Sequence, residues 1–148
     1  MGAMLADYLA AGPLIMQRIR DAVADIAAVL PARDLSRLAE SALQSPAVFV
    51  VYDGDRLGDA AGRGGARIVH QRWLVVLAVR NAAQSDGGAA LTGDAGPLLS
   101  DLLEALQGWA PSVDHRPLYR VAAPLPGYSP AFGFYPLAFE AALITVTA

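Results

Sequence analysis

A chain of 148 residues has the length of one domain and can bury a core without disulfide or metal staples. With 55% hydrophobic and 17% charged residues it does not read as disordered, and a net charge of −3 leaves no general basic footprint for nucleic acid. Cysteine is absent and all eleven basic residues are arginine, which excludes disulfides, thiolate metal sites, Cys nucleophiles, Schiff-base lysines and the lysine of a Walker-type phosphate loop.

No apolar run approaches about twenty residues without a charge or breaker, so no membrane span is predicted. Met1–Met16 is apolar but lacks a basic n-region and contains Asp7, Gly12 and Pro13. It reads as mature protein rather than a signal peptide, with residues 1–12 expected to be flexible and Met4 an alternative start.

Pro13 fits a first helical turn, where its missing N–H costs nothing. From there Ile15, Ile19, Ala22, Val23, Ile26 and Leu30 follow helical spacing, with Gln17, Arg18, Arg20, Asp21 and Asp25 mostly opposite, until Pro31 ends the run. The mixed charge of this helix favours core packing over a membrane surface. Asp34 is placed to cap a short second helix carrying Leu35, Leu38 and Ala42, closed by Ser45-Pro46.

Residues 47–52 (Ala-Val-Phe-Val-Val-Tyr) read as a short buried strand, and residues 53–65, with five glycines, as a mobile loop. Asp53, Asp55 and Asp59 suggest a calcium loop, but Leu57 and Gly64 fall where oxygen ligands are needed. The glycines do not match Gly-x-Gly-x-x-Gly either.

The stretch from Arg67 to Asn81 has no Gly or Pro and is rich in Val and Leu, which predicts an unusually long strand able to organise a small antiparallel sheet. Alternation puts Val69, Trp73, Val75, Leu77 and Val79 on one face, clean enough to be the core face. Ile68, His70, Arg72, Leu74, Val76, Ala78 and Arg80 share the other, as expected where helices do not fully cover a sheet.

Residues 82–93 read as a second small-residue loop. After Asp94 a helix carries Leu98, Leu99, Leu102, Leu103, Leu106 and Trp109 as one apolar stripe, the natural cover for the Trp73–Val79 face, and Gly108 and Pro111 terminate it. Residues 117–123 predict a short strand, residues 124–134 an irregular segment, and residues 135–147 a last strand. Leu137, Phe139, Ala141 and Leu143 fall on one face of that strand, and Glu140, Ile144 and Val146 on the other. The fold class is therefore α+β: one domain over residues 1–148, a small mostly antiparallel sheet with a long central strand, packed on one face by two main helices.

Chemistry for a reaction is missing. His70 and His115 lie in no metal or hydrolase spacing, and Glu40, Glu104 and Glu140 are isolated on separate elements. No catalytic, cofactor-binding or metal-binding residue is expected, and the chain reads as a non-enzyme. A small-molecule-binding module, with Tyr128–Tyr135 as a pocket wall, is the alternative.

Four local signatures occur in order: Trp-Leu-Val-Val-Leu-Ala-Val-Arg-Asn at 73–81, Gly-Trp-Ala-Pro at 108–111, Arg-Pro-Leu at 116–118 and Phe-Gly-Phe-Tyr-Pro-Leu-Ala-Phe at 132–139. Together they resemble the tail-terminator-like proteins of Mu-type prophages, relatives of the lambda minor tail protein U group, over roughly residues 13–146. The resemblance implies a structural, cofactor-free subunit of the virion tail, made in the bacterial host cytoplasm. It also implies a ring, usually of six, that caps the tail tube and meets the head–tail connector protein. Its partners would be further copies of itself, the tail tube protein and that connector, with no nucleic-acid sequence recognition and no membrane. Arg56, Arg63, Arg67, Arg72 and Arg80 supply five of the eleven basic residues within 25 positions and are the expected partner-docking residues.

Overall fold

The computed structural model describes residues 6–34, 44–60, 65–80 and 88–146. Helix α1 (Ala11–Ala22) leads to strands β1 (Ala28–Ala32), β2 (Ala47–Ala60) and β3 (Arg67–Arg80). Helix α2 (Gly88–Leu106), two short strands β4 (Tyr119–Val121) and β5 (Gly127–Tyr128), and β6 (Phe132–Thr145) follow. The six strands form one sheet in the order β1-β2-β3-β6-β4, with β5 also paired to β6. β1 and β2 run parallel, and the other pairs are antiparallel.

The long strand lies at the centre, as its composition predicts. Trp73, Val75, Leu77 and Val79 point to the helices and are buried with Ile15 and Ile19 of α1, with Val23 just past its end, and with Leu102 and Leu106 of α2. Tyr135, Leu137, Phe139 and Ala141 of β6 continue the same face. Both helices thus cover one face with their apolar stripes, and the chain has the expected α+β architecture.

The face away from the helices has the apolar middle expected of it, and that middle is buried rather than open to solvent. Leu74, Val76 and Ala78 are buried in a second cluster with Phe49, Val51, Phe132 and Ala138. Aromatic side chains contributed by β2 and β6, more than 60 residues apart, explain why β3 alone could not reveal this. The polar part of that face lies mainly in the half of β3 nearer Arg67, with Arg80 at the opposite end.

Four element boundaries differ from the periodicity. α1 stops at Ala22, and Val29, Leu30 and Pro31 belong to β1 rather than to a longer helix. β1 is an edge strand, where a proline costs no ladder bond on its open side. β2 continues through residues expected to form the glycine-rich loop, because β3 is long enough to template it as far as Ala60. The register shifts between Tyr52 and Asp55, where Gly54 takes φ +87°, a conformation suited to a bulge residue without a Cβ. α2 starts at Gly88, before Asp94, and carries Pro97 inside it. β6 starts at Phe132 and pairs with β5, so the segment expected to be irregular is partly strand. Pro136 sits in β6 between the residues paired to β5 and those paired to β4, a gap where a missing N–H is tolerated. The expected second helix carrying Leu35, Leu38 and Ala42 lies outside the described residues.

Packing between α1 and the sheet is close at one point. A Cβ at Gly12 would lie 2.8 Å from a carbon of the Trp73 ring, so the indole occupies the space a side chain would need. Gly12→Ala is therefore expected to destabilise the protein by about 1–3 kcal/mol through overpacking. Trp73→Ala should cost about 3–5 kcal/mol through the cavity it leaves. Chemical denaturation of the two variants measures both, and a loss below about 1 kcal/mol for Trp73→Ala would reject this packing.

Candidate functional site

Cross-strand register assembles a polar cluster on the helix-free face. Arg56 of β2 lies opposite His70 of β3, Arg72 of β3 opposite Glu140 of β6, and Tyr119 of β4 opposite Glu140. Opposed residues in an antiparallel pair share a face, so residues far apart in the chain converge. Arg56 grips Glu140 with two bonds, Nε to Oε2 at 3.1 Å and Nη2 to Oε1 at 2.9 Å. The Tyr119 hydroxyl donates to the same carboxylate. His70 stands beside it, with Nδ1 3.8 Å from Oε1 and 3.1 Å from the Tyr119 hydroxyl. Arg72 is anchored by Asp53 at 2.8 Å and by the Ala122 carbonyl at 2.8 Å. A shallow space of about 100 Å³ lies among Asp53, Gly54, Asp55, Arg56, His70, Arg72 and Glu140. Gly58 is required nearby, because a Cβ there would lie 2.9 Å from His70 Nε2.

Glu140 is the electrostatic centre of this cluster. Burial alone pushes its carboxyl up, but the hydrogen bonds from Arg56 and Tyr119, with the charges of Arg56 and His70, outweigh that and hold it below the ordinary carboxylate value. The Tyr119 phenol moves the other way, raised by burial and by its bond to Glu140. The chemical result is a clasp: one carboxylate of β6 fastens β2 and β4, the strands on either side of the β3–β6 pair.

A second network ties the N-terminal segment to the helix side of the sheet. Tyr8 and Tyr52 both donate to Asp55 Oδ2, at 2.6 and 3.0 Å. Gln71, fully buried, donates to the Tyr8 carbonyl at 2.7 Å and accepts from Trp73 Nε1 at 3.2 Å. Both phenols have raised pKa values, first through burial and then through the bond to Asp55.

The five arginines singled out in the sequence do not form one patch. Arg56 and Arg72 meet in the cluster, each bonded to a carboxylate. Arg80 lies at the other end of β3, over the Phe132 ring at 4.9 Å. Arg67 is exposed at the start of β3, on the face opposite to Arg72 by strand alternation. Arg63 lies outside the described residues. Glu140 and Tyr119, which organise the cluster, carry no local sequence signal beyond a lone acid in an apolar strand.

His115 is buried rather than exposed in its Pro-rich connection. Its Nδ1 pairs with Ser112 Oγ at 2.7 Å, and burial lowers its pKa, with the Asp114 charge acting in the opposite sense. Ser112 Oγ also accepts from the Asp114 backbone N–H at 3.1 Å, as in a local turn. Among the described residues no group of three His, Asp or Glu side chains is placed to hold a metal, and no helix is long and apolar enough to cross a membrane. Tyr128 and Tyr135 meet edge to face at 5.9 Å, but concavities of about 410, 340 and 100 Å³ have no lining residue between 128 and 135.

Because Glu140 has a lowered folded pKa, its contribution to stability is present above the ordinary carboxylate value of 4.5 and is lost as pH falls through the lower folded value. Glu140→Gln should therefore weaken the protein most at neutral pH, and its gap to the wild type should narrow in acid. Denaturation midpoints at neutral and acid pH measure this; a gap that does not change with pH would show that the carboxylate charge is not what the clasp uses.

A search of curated proteins found no match. Residues 4–147 match the family described as Phage tail terminator protein. The match takes in every strand and both helices described above, and it is to the family as a whole rather than to its Mu-type branch. The chain belongs to the phage tail terminator family and is a structural component of the phage tail.

Proposed function

We propose that this chain closes a ring, of six copies, on the head-proximal end of the tail tube. The ring stops tube polymerisation and offers its other side to the head–tail connector. The family match from residue 4 to 147 carries this reading, since it spans the fold rather than one motif. The chemistry of the polar cluster supports it: Glu140 and Asp53 are each paired with an arginine and Asp55 accepts from two phenols, so these carboxylates fasten strands together. The protein acts without catalysis or cofactor, through self-association and contacts to the tube and connector proteins.

Within this reading Arg56, Arg63, Arg67, Arg72 and Arg80 contribute docking contacts in different ways. Arg67 makes no side-chain hydrogen bond or ion pair among the described residues and is available to a partner carboxylate. Arg56 and Arg72 shape the surface from within their ion pairs. Guanidinium groups make planar two-point contacts with carboxylates, which favours specific protein docking.

Deleting the gene is expected to give tails of irregular length that fail to join heads. An Arg63→Ala, Arg67→Ala variant should fold with wild-type stability yet fail to restore tail length, whereas Arg56→Ala should also lower stability by releasing Glu140. Tail lengths in electron micrographs, with titre, measure the outcome. Normal tails without the gene would overturn the function, and full complementation by the Arg63/Arg67 variant would overturn the docking role of those two residues.

A further inference from the structure

The sheet is blunted at its ends but open along part of β2. β1 carries Pro31, and Arg20 bonds its Val29 carbonyl at 3.0 Å. β4 and β5 lie among Pro117, Pro124, Pro126 and Pro130, and the N–H and carbonyl of Leu118 are taken by Trp109 and Gly108. The part of β6 between its partners in β5 and β4 contains Pro136. Proline and short length are ordinary means of closing a sheet edge to further strands. β2 has neither. β1 covers it only from Ala47 to Val51, which leaves its outer side open over residues 53–60, about 25 Å of strand without a proline. Apart from the pairing with β3, these residues make no main-chain hydrogen bond among the described residues.

The side chains along this edge are of distinct kinds. Asp55, Arg56 and Leu57 keep a continuous register with Gln71, His70 and Val69. Asp55 and Leu57 therefore lie on the helix side of the sheet and Arg56 on the other. Leu57 is 62% exposed although its neighbour Val69 is buried, so the open edge leaves an apolar side chain in water. Charge is unevenly matched as well. Asp53 and Glu140 have Arg72 and Arg56 beside them, whereas Asp55 and Asp59 are exposed and have no cationic partner among the described residues. The phenols of Tyr8 and Tyr52 both use Oδ2 of Asp55 and bring no charge to it.

An added strand gains main-chain bonds along an edge and is selected through its alternate side chains. A second β2 is a poor occupant. Pairing two such edges antiparallel about Arg56 sets Asp53 opposite Asp59, and about Leu57 it sets Asp55 opposite Asp59, so like charges meet. The other strands of a second copy present only the blunted edges described above. We propose that residues 53–60 of β2 accept an extended strand from a different tail protein, one that sets arginine or lysine beside Asp55 and Asp59 and an apolar side chain on Leu57. This rests on the reading that the chain meets the tube and connector proteins, and it names an edge that meets one of them.

The palindromic peptide acetyl-Thr-Arg-Thr-Val-Thr-Arg-Thr-amide presents this pattern in either strand direction and serves as the probe. Titrated into the full-length protein, it is expected to shift and protect the backbone amides of residues 53–60 in a saturable manner, read by NMR and hydrogen exchange. The same peptide with its internal amides N-methylated, or with glutamate in place of arginine, should bind about tenfold or more weakly. Leu57→Lys combined with Asp59→Lys should lose about tenfold or more in affinity while melting with its parent. If that variant melts lower, Asp59→Asn alone replaces it, with a smaller loss expected. No response at residues 53–60, or equal binding by the N-methylated peptide, overturns strand addition. Protection of these amides that grows with protein concentration in the absence of peptide would assign the edge to a second copy and overturn the proposed occupant. The readout needs no tail. Peptide uptake together with normal tails in the gene deletion would sink tube capping and leave the edge, and defective tails without uptake would do the reverse.

Discussion

Everything in this fold depends on the unbroken pairing of β3 with β6. The two strands stay in one register from Arg67 opposite Thr145 to Arg80 opposite Phe132, with no bulge between. That register sets Trp73 beside Phe139 under the helices and Arg72 beside Glu140 on the other face. A slip of one residue would flip one strand against the other, either turning Trp73 away from α1 or pushing Glu140 into the core. Hydrophobic burial on both sides opposes such a slip, since Leu74 and Val76 are as deeply buried as Val75 and Leu77. The bulge at Gly54 is placed in β2 and Pro31 of β1 on the sheet's edge, while Pro136 is carried within β6 without a break in its register with β3.

This division of labour suits a structural subunit. The central pair and the helices make an apolar block, and a polar cluster gathers at one end of the helix-free face. Glu140 is the exception, a charge set within an apolar strand. It is tolerated because its lone pairs are met by Arg56 and Tyr119, with His70 close by. Removing one partner would leave the others in a costly site, so the clasp is cooperative by construction. A tail terminator must present the same surfaces in every copy, and a clasp of that kind holds β2 and β4 in fixed relation to β6.

Much of the fold was legible because strand and helix periodicity are local. The faces of β3, the stripe of α2 and the alternation of β6 could be read from spacing, and each is found in the structure. α1 was overextended because Ile26 and Leu30 continue a helical spacing by coincidence, whereas pairing with β2 claims Val29 for a strand. The far half of β2 was hidden by its glycines and aspartates, poor strand formers on their own that are held by a long partner. The polar cluster was illegible for a related reason: Arg56 and Glu140 are 84 residues apart, and only the register brings them together.

The position of β6 bears on the timing of folding. It is the last strand described, yet it lies inside the sheet, between β3 and the short β4 and β5. On the ribosome, β1, β2 and β3 emerge with one long side of β3 unpaired, and the contacts that complete the core join residues more than 50 positions apart. Such long-range closure is slow and leaves an adhesive edge exposed until β6 has emerged. A subunit built this way remains immature while it is being made. Any chain stopped before residue 132 lacks the strand on which the sheet closes, so a cell's supply of assembly-competent copies is filtered for chains that carry β6 before any partner is met.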